Sequence, residues 1–210
     1  LTAAISADKD QILNRLGSID SDSNDLLTIE ATGDSSYQNA SDILDKSADD
    51  SLVTIEAIVD SASTLTGEGI EDSVLDQANS ITISGDAAVN ADQAITLTSY
   101  SNQDAISFTI EDDSENLYAT NDESAGIDDA ITKATGVTAN GAMTFAQASE
   151  MIGDNEATKF IFSISDAYSV VVQAGSEGNE NYPIYQRAIS VGSVTVTPGP
   201  LSNLLDLDLA

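Results

Sequence analysis

The chain contains no cysteine and no histidine. Those absences remove disulfides, thiolate nucleophiles, the usual zinc ligand sets and any Ser-His-Asp triad. Tryptophan is also missing, and aromatic residues make up 5% of the sequence. A core must therefore be assembled from Ile, Val, Leu and Ala, which bury less area per side chain than rings do. Basic residues are scarce as well. Lys and Arg total 6 against 36 Asp and Glu, and none lies between Lys46 and Lys133. The resulting net charge of −30 has the wrong sign for nucleic acid or an anionic membrane surface. No apolar run approaches the roughly 20 residues of a membrane span, so membrane insertion is not expected. Neither a Walker loop nor a G-x-G-x-x-G word occurs. No signal-peptide pattern is present, and Leu1 reads as a processed or trimmed start, or the export signal lies elsewhere.

What is present is enough to fold. The 210 residues are 41% hydrophobic, sufficient for one or two domains with a real core. The charge disfavours a compact monomer through self-repulsion. It is tolerable at high ionic strength, where screening is short-ranged, or with divalent cations held by carboxylates.

One strand-like word recurs. It reads Leu26-Leu27-Thr28-Ile29-Glu30, Leu52-Val53-Thr54-Ile55-Glu56, Ser80-Ile81-Thr82-Ile83 and Ser107-Phe108-Thr109-Ile110-Glu111. The threonines advance by about 27 residues each time, the mark of stacked units that bury their faces on one another. A short helical pattern sits before most of the strands, with examples at Asp10–Leu16, Ser41–Lys46, Glu71–Gln77 and Ile127–Lys133. Gly17 and Gly136 are placed as C-caps. The expected fold class is mainly β with short helices: a stacked ~27-residue helix-loop-strand repeat followed by a small β-rich C-terminal domain. The boundary is expected near residue 142, giving an acidic repeat region at 1–141 and a β-rich domain with an apolar tail at 142–210. Within the latter, Thr144–Ile152 reads as a helix ended by Gly153. Lys159–Ile164 and Ala167–Ala174 read as a hairpin around Ser165-Asp166, and Tyr182–Gln186 and Ile189–Val191 as further strands.

The words Phe160-Ile161-Phe162, Tyr168 to Gln173, the Gly/Asn loop Gly175 to Asn181, and Ile184 to Val191 carry a resemblance. They resemble the C-terminal part of bacterial secreted surface and S-layer-type proteins of the type I secretion, RTX-associated group. Phe108-Thr109-Ile110-Glu111-Asp112-Asp113-Ser114-Glu115-Asn116-Leu117 is similar to a Y-x-I-x-D-x-x-x-N-L repeat of large secreted proteins from aquatic bacteria. The glycine-rich nonapeptide of that group is absent here, so its calcium roll does not carry over.

Two acidic clusters are candidate calcium sites. Asp20, Asp22 and Asn24 place oxygens at alternate positions, as calcium loops begin, although the spacing is not that of an EF-hand. Asp112, Asp113, Asp122 and Asp128 are the candidates in the middle of the chain, where neighbouring carboxylates repel unless bridged. The plain alternatives are a solvated acidic turn and a charged edge that discourages wrong strand pairing. Paired carboxylates also raise glycoside hydrolysis, but no aromatic sugar platform accompanies them, and no catalytic or cofactor-binding residue is expected. The expectation is a non-enzymatic, extracellular or cell-surface structural protein that associates with itself, such as an S-layer, sheath, filament or adhesin module, with calcium as its support. A virion structural protein of an aquatic phage shares this composition and is the alternative.

Overall fold

The computed structural model describes residues 2–15, 26–47, 49–119, 126–153 and 155–197. These form nine strands and ten α-helices: β1 (Thr2–Asp8), α1 (Lys9–Arg15), β2 (Leu26–Ser35), α2 (Tyr37–Leu44), β3 (Val53–Asp60), α3 (Ala62–Leu65), α4 (Asp72–Leu75), β4 (Ile81–Ile83), α5 (Ala91–Ser99), β5 (Ile106–Ser107), β6 (Ile110–Asp113), α6 (Ser114–Ala119), α7 (Ile127–Lys133), β7 (Val137–Met143), α8 (Phe145–Ile152), β8 (Phe160–Ala167), α9 (Tyr168–Ala174), α10 (Tyr182–Val191) and β9 (Val194–Thr197).

The strands make two sheets, ordered β1-β2-β3-β4-β5 and β6-β7-β8-β9, and every pairing is parallel. Helix accounts for 46% of the described residues and strand for 30%. The protein is thus α/β, and the expectation of a mainly-β repeat stack with a β-rich C-terminal domain is wrong. The reason is geometric. Parallel neighbours cannot be joined by a hairpin, so each needs a crossover, which is helical here. The ~27-residue step is therefore the length of one strand plus its crossover. The marker threonines do not pair with one another: Thr28 faces Ala4, Thr54 faces Glu30 and Thr82 faces Val59.

The chain divides into two compact units. The first holds residues 1–88 and 92–108, the second 89–91 and 109–210. The division falls at Phe108 and Thr109, whereas residue 142 lies inside β7.

In the first unit, β3 and β4 bury Val53, Ile55, Ile58, Ile81 and Ile83 beneath the helices, while Glu56 and Thr82 are exposed. The same alternation runs through β8, where Phe160, Phe162 and Ile164 are buried and Ile161 is exposed. Sequential strand order sends every crossover the same way, so helices cover one face of each sheet. The other face carries Thr28, Glu30, Glu56 and Thr82 in the first unit and Thr109, Glu111 and Asn140 in the second, all exposed.

Of the expected C-terminal hairpin, the first arm at Lys159–Ile164 falls in β8, whereas the second arm and the strands expected at Tyr182–Gln186 and Ile189–Val191 are helices. Tyr168–Ala174 is α9 despite its three consecutive valines, because strand β8 must cross over to reach parallel β9. Tyr182–Val191 is α10, which carries a proline in its first turn and buries Ile184 and Ala188 at helical spacing. Gly192 ends that helix against β8, where an added Cβ would run into the carbonyl of Phe162. Among the described residues, no helix is long and apolar enough to cross a membrane.

Candidate functional site

In parallel α/β proteins ligands gather at the carboxyl ends of the strands, where helix N-termini offer free N–H groups. Three such helix starts are alike in this protein. Tyr37 opens α2 and donates its N–H to Asp60 Oδ2 at 3.0 Å. Ala91 opens α5 and donates to Asp112 Oδ2 at 2.9 Å. Phe145 opens α8 and donates to Asp166 Oδ2 at 3.1 Å. Asp60 and Asp166 stand at or near the end of the strand that follows their helix, β3 and β8, and Asp112 stands near the end of β6, the second strand after α5. In each case the aspartate Oδ1 accepts the N–H of the next residue, Ser61, Asp113 or Ala167, at 2.7–2.8 Å.

The surrounding elements fix this arrangement. Ser36 and Thr144 cap their own helices by accepting from the N–H groups of Asn39 and Gln147. Gln147 returns the bond to the Thr144 N–H, completing a capping box. Ahead of α2 and α8, strands β2 and β7 shift register at Gly33 and Gly141, whose φ values of +82° and +88° suit glycine. The shift brings the end of the strand and the following helix start level with the aspartate on the next strand.

Around Asp112 the electrostatics are resolved. Burial opposes its ionisation, but the N–H groups of Ala91 and Asp113 and the side-chain amide of Asn116 outweigh it. Together they hold the carboxyl below its ordinary range. An open groove of about 640 Å³ borders Asp166, with Thr144, Phe145, Glu150 and Asn181 on its walls. Its threonine and its aspartate are both engaged in capping α8.

The candidate calcium ligands are distributed as follows. Asp20, Asp22, Asn24 and Asp122 lie outside the described residues. Asp112 accepts N–H donors of its own chain at both oxygens. Asp113 is exposed at the end of β6, and Asp128 is exposed in the first turn of α7, where it favours the helix dipole. Among the described residues, no three acidic side chains are grouped so as to hold one metal ion. Asp60 and Asp166 were not among the sequence candidates. A signal for them exists in Ile58-Val59-Asp60, Ile110-Glu111-Asp112 and Ile164-Ser165-Asp166, one Ile-x-Asp word near the end of each of β3, β6 and β8.

No protein-family model matches the chain, and no curated protein matches it either.

Proposed function

We propose that the protein is a non-enzymatic structural protein of the extracellular or cell-surface environment that works by associating with itself. The observation that carries this reading is the closure of the three helix starts by the chain's own carboxylates. The positions where an α/β protein would hold a phosphate or another anionic substrate are occupied by Asp60, Asp112 and Asp166. Strictly sequential strand order supports the reading too. It has no reversal point, and the crevice that accepts ligands in doubly wound sheets forms at such a reversal. The absence of histidine and cysteine and the net charge of −30 point the same way. In this reading calcium acts on exposed carboxylates, as a neutraliser that tolerates irregular ligand sets.

Sedimentation and negative-stain imaging of the 210-residue chain, in low salt, in high salt and with millimolar calcium, test the proposal. Concentration-dependent assemblies, strengthened by salt or calcium, are expected. A monomer under every condition would overturn it.

A further inference from the structure

We infer that the end of the second unit formed by α9, α10 and β9 is a docking surface for a second copy of this chain, which presents the same surface in return. The inference rests on the self-association proposed above and names its interface. Among the described residues, the exposed large apolar side chains are Ile161, Tyr168, Val172, Ile189 and Val196, all within one stretch of 36 positions. Tyr168 and Val172 lie on α9, Ile189 on α10 and Val196 on β9, and these three elements pack against one another. Their exposures of 65%, 50%, 48% and 46% set them apart from the rest of the described surface. Strand β9 is the edge of its sheet, so its outer backbone groups are open to another strand.

Charge identifies the occupant. A chain of net charge −30 repels its own copies over most of its surface. From 157 to 197 the charged residues are Lys159, Asp166, Glu177, Glu180 and Arg187. Three of these are already engaged. Lys159 Nζ donates to the carbonyls of Ile131 and Thr132, Arg187 to those of Phe160 and Thr158, and Asp166 accepts from α8. Two copies can therefore meet here with little opposing charge. Apart from the single Ile161 on β8, the described surface offers the partner no other large apolar group, so the matching patch is this one on the second molecule. A surface that pairs with itself closes at a two-fold dimer instead of propagating.

Sedimentation equilibrium of the full chain at moderate and high salt tests the inference. Wild type is expected to dimerise, more tightly as salt rises. Val172→Glu and Ile189→Glu place a carboxylate in the contact and should each weaken the dimer by at least about 100-fold. Both sites are exposed, so far-UV circular dichroism and the urea midpoint, measured at a dilution where wild type is monomeric, should not move. If either does, Val172→Ser and Ile189→Ser replace them, with a smaller expected loss. Assemblies unaffected by these substitutions would overturn the interface and leave self-association standing. A monomer in all conditions would overturn both. If the full chain is monomeric and deletion of residues 198–210 releases a dimer, the patch belongs to the chain's own tail, and a second copy is not its occupant.

Discussion

In the first unit the central strands bury Ile55, Ile58, Ile81 and Ile83, while in the second β8 buries Phe160, Phe162 and Ile164 in the same kind of layer. The helix ends are tied down differently as well. In the first unit neutral groups reach the free carbonyls: Asn102 donates to Leu75 and Ala78, and the Tyr100 hydroxyl donates to Leu65. Burial, reinforced by the negative charge of Asp72, raises the Tyr100 phenol above its ordinary value. In the second unit Asn155 donates in the same way to Ile152 at the end of α8, and cations share the task. Lys159 closes the end of α7, with its pKa lowered by burial, and Arg187 closes the carbonyls at the start of β8. One element is common to both, the aspartate that caps the preceding helix. The two units thus share a carboxylate at one helix start and differ in the residues that fill the layer.

The largest expected effect breaks the comparison at the core. Phe162→Ala should cost about 3–5 kcal/mol, whereas Ile81→Val at a matching buried strand position should cost about 0.5–1.5 kcal/mol. Urea denaturation of the two variants gives both numbers. Equal losses would mean that the ring makes no special contribution to the second unit.

The shared aspartate should behave alike in both units. Asp60→Ala and Asp166→Ala each leave a helix-opening N–H without its carboxylate, and each should cost about 0.5–2 kcal/mol. A loss confined to one of them, measured by thermal or urea unfolding, would show that the two caps are not equivalent.

These caps explain where the sequence could and could not be read. Strand words at Thr28, Thr54 and Thr82 fall in β2, β3 and β4, because alternation of buried and exposed residues is local information. Helical spacing at Ile127–Lys133 and Thr144–Ile152 likewise overlaps α7 and α8. Val170-Val171-Val172 misled, since β-branched residues favour strands and only the parallel pairing of β8 with β9 demands a helix there. The caps were hidden for a related reason. Each joins residues 21–23 apart, and nothing local to Asp60 or Asp166 announces its partner. Asp112 did stand out, but as part of an acidic run, and the N–H groups it accepts from are not legible in that run.

A smaller contrast lies where the paired strands approach the same helices. Ser35 pairs with Ile58 in the first unit, and Met143 pairs with Ile164 at the corresponding place in the second. Both are buried, but the Ser35 hydroxyl has no hydrogen-bond partner among the described residues. Removing an unsatisfied buried hydroxyl relieves its desolvation cost, so Ser35→Ala should stabilise the protein by about 1 kcal/mol. A loss of stability in the urea midpoint would show that the hydroxyl is satisfied in solution.

The smallest effect sharpens the comparison by testing whether the cap works through charge. Asp112 is held below its ordinary value: burial opposes the charge, but the donors from Ala91, Asn116 and Asp113 prevail. A depressed folded value gives a definite sign. The contribution is complete above the unfolded carboxyl's pKa of about 3.9 and disappears as pH falls through the lower folded value. Asp112→Asn keeps the shape and one acceptor but has no charge at any pH, so at neutral pH it should cost about 0.3–1 kcal/mol. The other carboxylates protonate over the same range and change both proteins together, so the informative quantity is the stability difference between wild type and variant. That difference should be constant from pH 7 to about 5 and should shrink towards zero below about pH 4. A difference that stays flat down to pH 2.5 would assign the Asp112 cap to its hydrogen-bond geometry alone, with no contribution from ionisation.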